Sequence, residues 1–324
     1  MIASEHIVGC IAPKRTISIT CQCYVHVVLR LVGIENGAGQ CDRGFWPIRE
    51  PILLVTPRTP HTGYLLRRME QTTDIQVIKC GGSVLHSDEA ITATCDYLAT
   101  KAGIFDRVIV VVSAPAGVTD ALYQSVSLEA STSGDEIAEH VSSGERAMAA
   151  RLTDQLRALG LDITNLTVHD IGLRASGPPL DADPVSLDVP AILQALDACD
   201  VLVVPGFAGV GSSGARRLLG RGGSDISAIF IAAEVNGVCC LLQRVAGIYE
   251  RDPVSQDALP PHFAQMHWDD LLELDDEVVQ AKAVRLAKQR QLRFQVTSPD
   301  SSLGTLIGDL HPVLTSEPTR HASS

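Results

Sequence analysis

Five consecutive β-branched aliphatic residues, Val108 to Val112, stand between Arg107 and Ser113. A strand apolar on both faces has to be covered on both, which places it inside a parallel sheet with helices above and below. From Ile75 onward the chain is patterned to build such a sheet. Further strands are expected at Ile75–Lys79, Leu166–Asp170, Val201–Phe207, Val238–Gln243 and Leu292–Ser298. Helical periodicity fills the spaces between them, at Ser87–Ala102, Glu136–Leu159, Val189–Ala198, Asp225–Val235 and Asp269–Gln289. Strands alternating with helices predict an α/β fold with a mostly parallel central sheet and helices on both faces.

The 324 residues allow roughly two domains, and 45% hydrophobic content excludes disorder for most of them. The break in composition falls near residue 70. Residues 1–70 carry eight Lys and Arg against five Asp and Glu, whereas residues 71–324 carry 18 against 33. The first part holds prolines at 13, 47, 51, 57 and 60, one strand-like run from Tyr24 to Val32 and no helical periodicity. It reads as a poorly organised extension (1–70), followed by the main domain (71–308) and a polar, frayed tail (309–324). Met69, ten residues before Lys79, is where a shorter functional chain could begin.

A formal net charge of −12 without a local basic stripe argues against nucleic acid and for small-molecule partners. The apolar runs fall short of the ~20 residues of a spanning helix, and Lys14, Arg15, His26 and Arg30 interrupt the N-terminal stretch, so no membrane segment or signal peptide is expected. Nine cysteines with no Cys-x-x-Cys pair fit reduced packing thiols of a cytoplasmic protein. Cys239 and Cys240, adjacent on a strand, should point to opposite faces. Cys21, Cys23, His26 and Cys41 lack the usual zinc spacings, so no metal site is expected there.

In open α/β sheets ligands bind beyond the carboxyl ends of the strands, where helix N-termini attract anions. Three junctions have that form. In Lys79-Cys80-Gly81-Gly82-Ser83 a lysine ends a strand and two glycines let backbone N–H groups approach a phosphate; a plain glycine turn with a solvated lysine is the simpler alternative. Ser113 to Asp120 follows the most apolar strand, and Thr119 there serves a ligand or merely caps a helix. Leu219-Gly220-Arg221-Gly222-Gly223-Ser224-Asp225 joins glycines, an arginine fork suited to carboxylate or phosphate, and an acid able to orient a cation or cap its helix. Gly209-Val210-Gly211-Ser212-Ser213-Gly214 matches G-x-G-x-x-G, yet the arginines and glycines of 215–223 follow it in place of a long helix, so a polar hairpin is expected there rather than a dinucleotide site. No G-x-x-x-x-G-K-[ST] is present.

These motifs, with Ser143-Gly144-Glu145, Val245-Ala-Gly-Ile-Tyr-Glu-Arg-Asp-Pro253 and Ser298-Pro-Asp-Ser-Ser-Leu-Gly-Thr-Leu-Ile307, resemble in order and spacing the aspartokinases of the amino-acid kinase family. The resemblance covers about Ile75 to Ile307. It implies a three-layer α/β/α sandwich with an amino-acid lobe (about 71–205) and a nucleotide lobe (about 206–308). It implies transfer of the γ-phosphoryl of ATP, with Mg²⁺ bridging phosphates, to the side-chain carboxylate of aspartate or a related acidic amino acid. By family position Lys79 is the main cation on the transferring group, with Gly81, Gly82 and Ser83 beside it and Asp225 organising the lysines. Glu145 pairs with the α-amino group and Arg221 with the α-carboxylate, while Ser113, Thr119 and Ser224 hold polar ends. Gly222, Gly223, Tyr249 and Lys282 lie toward nucleotide and phosphates. Taken without the family, Glu145 has the lesser alternative of an exposed i, i+4 helix partner, and Lys282 reads equally as a solvated helix lysine. A homo-oligomer is compatible with the resemblance.

The chain departs from the family in three places. Its first motif is one residue shorter than Lys-Phe-Gly-Gly-Thr-Ser-Val. The segment Thr-Asp-Asp-Arg-Phe-Gly, which in the family closes over the amino acid, is Ala175-Ser-Gly-Pro-Pro-Leu180. On the nucleotide side Trp-Thr-Asp-Val becomes Leu242-Gln243-Arg244-Val245, and the arginine after Asp-Pro is Val254. These changes predict weakened ATP binding or an altered nucleotide preference. They leave open a catalytically weak binding or scaffold subunit, or a kinase for another acidic amino acid. The family's paired regulatory ACT domains are not matched in this sequence.

Overall fold

A computed structural model describes residues 14–21, 25–32, 53–55, 75–126, 132–251, 253, 260–274 and 278–315. The chain divides into two compact units, Met1–Thr72 and Thr73–Ser324. In the first, β1 (Lys14–Cys21), β2 (Val25–Val32) and β3 (Leu53–Val55) form an antiparallel sheet in that order. The strand-like run expected from Tyr24 is β2. The candidate metal residues Cys23 and Cys41 lie outside the described residues.

In the second unit the parallel strands β4 (Ile75–Cys80), β5 (Arg107–Val112), β9 (Val201–Pro205) and β6 (Ile163–Asn165) extend one way from the middle of the main sheet. On the other side β4 pairs with β12 (Val238–Leu242), and β12 in turn with β14 (Phe294–Thr297), again in parallel. Beyond β14 come β15 (Gly304–Gly308), β13 (His262–His267) and β16 (Val313–Thr315). The β14–β15 and β13–β16 pairs are antiparallel, so the sheet is mostly parallel as expected.

Period-two alternation sorts the buried strands into two cores. Val77, Ile109, Val111, Leu202, Val204, Cys239 and Leu241 face one core, which includes α6 (Gly223–Glu234), α5 (Val189–Leu196) and α8 (Ala281–Gln289). Ile78, Cys80, Val108, Val110, Val112, Val203, Cys240 and Leu242 face the other, closed by α1 (Asp88–Ala102) and α4 (Ser143–Ala158). The unbroken apolar run at Val108–Val112 thus feeds both layers, which completes an α/β/α sandwich. Cys239 and Cys240 fall in different cores, as their adjacency required. Both are free thiols, as are Cys80, Cys95 and Cys199 among the described residues.

A separate four-stranded sheet runs β11-β10-β7-β8, from β7 (Arg174–Ser176), β8 (Asp183–Ser186), β10 (Ala208–Val210) and β11 (Arg216–Leu218). Its β10–β11 pair is the hairpin expected over the G-x-G-x-x-G match, with Gly214 at φ +85° in its turn.

Four local expectations are corrected. The helix at Glu136–Leu159 is two helices, α3 (Gly134–Val141) and α4. Ser133 and Glu136 form a capping box two residues earlier than expected, and the Ser142 hydroxyl donates back to the Glu139 carbonyl at the break. The strand at Leu166–Asp170 lies instead at β6, because the Asp170 carboxylate accepts from both the Thr167 N–H and hydroxyl and turns the chain. Asp269–Gln289 is not one helix: α7 (Trp268–Glu273) ends where Leu274 turns extended, and α8 starts after an extended Gln280. The tail is not frayed throughout, since β16 pairs with β13. Among the described residues no helix is long and apolar enough to cross a membrane.

Candidate active site

Lys79 follows Ile78 on β4, and alternation turns its side chain to the α6 layer. There Asp225, in the first turn of α6, meets it at 2.7 Å, and both side chains are buried. Removing two charges from water is tolerated only when each satisfies the other. A lysine at the carboxyl end of a parallel strand is thereby held in place.

The two glycines after Lys79 leave no room for side chains. A Cβ on Gly81 would lie 2.9 Å from Lys79 Nζ, and one on Gly82 would lie 2.7 Å from the Ala114 carbonyl and 3.1 Å from Ala116 N. The Ala116 N–H donates to the Gly82 carbonyl and the Ser113 N–H to that of Cys80, so the first two junctions form one rim. Ser113 is half-buried on it, and Thr119 sits in the first turn of α2 (Val118–Val126).

Glu145, in the first turn of α4, reaches this rim from the other core. Its Oε1 accepts from the Ala114 N–H at 3.2 Å; its Oε2 is buried without a hydrogen-bond partner among the described residues. Burial pushes its carboxyl up to about 7, against the opposing effects of the Ala114 N–H, its own backbone N–H and Arg146. The exposed-helix alternative for Glu145 is excluded, since it is 3% exposed. Burial, and then the charge of Glu145, raise the Tyr123 hydroxyl on α2.

The third junction closes the rim from above α6. Gly220 and Gly222 adopt φ +80° and +72°, conformations that glycine reaches without strain. A Cβ on Gly222 would meet Gln280, and one on Gly223 would meet Phe207, itself at φ +71°. Ser224 is buried beneath Gly206, whereas Arg221 is exposed. Lys282, in the first turn of α8, binds Asp181 at 2.7 Å and Asp183 at 3.1 Å, and donates to the Ala182 and Leu219 carbonyls. Burial works to lower its pKa, but the hydrogen bonds to the two carboxylates outweigh it and hold the pKa up. It is therefore no merely solvated lysine.

Tyr249 is buried against the edge of His262, 5.3 Å between centroids. Gln243 lies next to Ser83, Arg244 is exposed and Val254 lies outside the described residues. The structure therefore joins Lys79, Gly81, Gly82, Ser83, Ser113, Glu145 and Asp225 around the ends of β4 and β5, with Ser224 packed at the end of β9. Sequence reasoning missed the Ala114 amide as a partner of Glu145, the acids that hold Lys282, and the contacts of Gln243. Only the Asp-Ala-Asp spacing at 181–183, which puts two acids on one face of an extended segment, gave a local signal.

Residues 74–298 match the family model described as the amino acid kinase family. An aspartokinase from Helicobacter pylori is 30% identical over 237 residues, covering 71% of this chain and 58% of the relative. The chain thus spans under three fifths of that curated relative. Among solved structures, aspartate kinase from Synechocystis superposes with a TM-score of 0.61 at 26% identity, covering 73% of this chain and 40% of that one. Escherichia coli aspartokinase III in complex with aspartate and ADP gives 0.62 at 21% identity, over 72% and 64% of the two chains.

Proposed function

Because the chain belongs to the amino acid kinase family, we propose that it transfers the γ-phosphoryl group of ATP to the side-chain carboxylate of aspartate or a closely related acidic amino acid, forming an acyl phosphate. The observation that carries this reading is the buried Lys79–Asp225 pair beside a glycine loop too tight for any Cβ. Such a cradle suits a phosphate held by backbone N–H groups with one fixed cation alongside.

The acceptor carboxylate is already an anion, so no general base is required. Catalysis reduces to positioning and to neutralising charge on the transferring group. Lys79 supplies that charge, and Asp225 keeps its ammonium from drifting. Gly81, Gly82 and Ser83 receive the phosphates, with Gly222, Gly223, Tyr249 and Lys282 on the nucleotide side. Glu145 accepts the α-ammonium group, for which its unpartnered Oε2 is suited. Arg221 pairs with the α-carboxylate, and Ser113, Thr119 and Ser224 complete the polar contacts. Among the described residues no group of three or more His, Cys, Asp or Glu could hold a metal ion, so Mg²⁺ would arrive with the nucleotide, held chiefly by its phosphates and by water, and would neutralise phosphate charge. We place the protein in the cytoplasm, with the amino acid and the nucleotide as its partners.

Hydroxylamine trapping of acyl phosphate, with ATP and Mg²⁺ across a panel of acidic amino acids, tests the reading. Hydroxamate formed with aspartate supports it; nucleotide hydrolysis without hydroxamate for any acid would overturn it.

A further inference from the structure

Gln243 follows the last residue of β12, beside the strand that carries Lys79. Its backbone N–H donates to the Thr297 carbonyl at 2.8 Å, which fixes its own position at the carboxyl end of an interior strand. Its side chain spans two other segments. Nε2 donates to the Val278 carbonyl at 3.2 Å, and Oε1 accepts from the Ser83 hydroxyl at 3.3 Å. Because a carbonyl only accepts, the amide nitrogen must face Val278, which leaves the oxygen for Ser83. That oxygen would lie 3.2 Å from a Cβ on Gly81, and Lys79 Nζ 2.9 Å from the same point, so amide and ammonium flank one glycine.

We infer that Gln243 is a positioning residue: it locks Ser83 and the glycine loop to the segment leading into α8. This rests on the reading of that loop as a phosphate site. Few side chains can do it. A carboxylate of equal length cannot donate to Val278 and sets a negative charge beside Lys79, a lysine cannot accept from Ser83, and methionine of similar length donates nothing and accepts only weakly. The departure from the family motif at this position is therefore a working contact.

The test is calorimetry of MgADP binding to the full chain and to Gln243→Met, Gln243→Glu, Ser83→Ala and the double variant Ser83→Ala/Gln243→Met. Each of Gln243→Met and Ser83→Ala should weaken binding about tenfold, near the loss expected for one hydrogen bond. The double variant should bind within about twofold of the weaker single, because both changes break the same contact. Gln243→Glu should bind more weakly than Gln243→Met. Unaltered affinity in Gln243→Met, or losses that multiply in the double variant, would overturn the inference while leaving the phosphate reading intact. Wild-type protein that does not bind MgADP would overturn both.

Discussion

Replacing Glu145 by glutamine should make the protein more stable near pH 8 while removing its grip on the amino acid. In the folded chain the carboxyl sits at about 7 rather than 4.5, so the fold favours its protonated form. Its stabilising contribution is complete below about pH 4.5 and is lost as pH rises through 7. At 1.36 kcal/mol per unit, ionising Glu145 costs the fold about 3 kcal/mol by pH 8. A neutral amide escapes that cost and keeps an oxygen for the Ala114 N–H. By the usual unfolding entropy, about 3 kcal/mol corresponds to a rise of roughly 6 °C for a unit of about 250 residues. The gain should shrink to about 1 kcal/mol at pH 5, where the wild-type group is already neutral when folded. Thermal unfolding of both proteins between pH 5 and 8 measures it. A difference that does not vary with pH, or a variant less stable at pH 8, would refute the reasoning. The same ionisation should appear in amino-acid affinity, which in wild type should strengthen from pH 6 to 7.5 and then level off.

Lys79→Met strands Asp225 in the interior and should cost about 3–5 kcal/mol of stability along with turnover. Adding Asp225→Asn should recover much of the stability but no hydroxamate, and recovery of activity would remove Lys79 from the chemistry. Gly82→Ala drives a methyl against the Ala114 carbonyl and should cost about 1–3 kcal/mol in thermal unfolding. Gly103→Ala, whose Cβ would come no closer than 3.5 Å to a neighbour, should be neutral, and equal losses at both sites would contradict the packing described. A chain beginning at Met69 should unfold cooperatively; a broad, non-cooperative melt would show that residues 1–68 contribute to the fold.

The sequence made legible whatever depends on local period. Val108–Val112 is apolar on both faces and could only be interior, and the parity of Lys79 against Ile78 and Cys80 already chose its layer. The glycine junctions were readable because tight turns demand glycine. What escaped was set either by single side-chain hydrogen bonds that turn the backbone or by partners distant in the chain. The break at Ser142 depends on one hydroxyl turning back, and β13, with His262, Gln265 and His267, lacks the apolar alternation that marks a strand. Local pattern could not exclude an exposed Glu145; only the packing of α4 beneath Ala114 does. Nothing near Lys282 in sequence announces Asp181 and Asp183, a hundred residues earlier. Gln243 stood out only as a departure from a motif.

The placement of Cys239 and Cys240 in separate cores gives the sheet a two-channel reporter. One thiol is shielded by the α6 layer and its neighbour by α1 and α4. Alkylation in rising denaturant, read on the single peptide that carries both, would time the departure of each helical layer. Labels that appear together would mean the sandwich opens as one cooperative body; labels that appear in turn would show which layer peels away first.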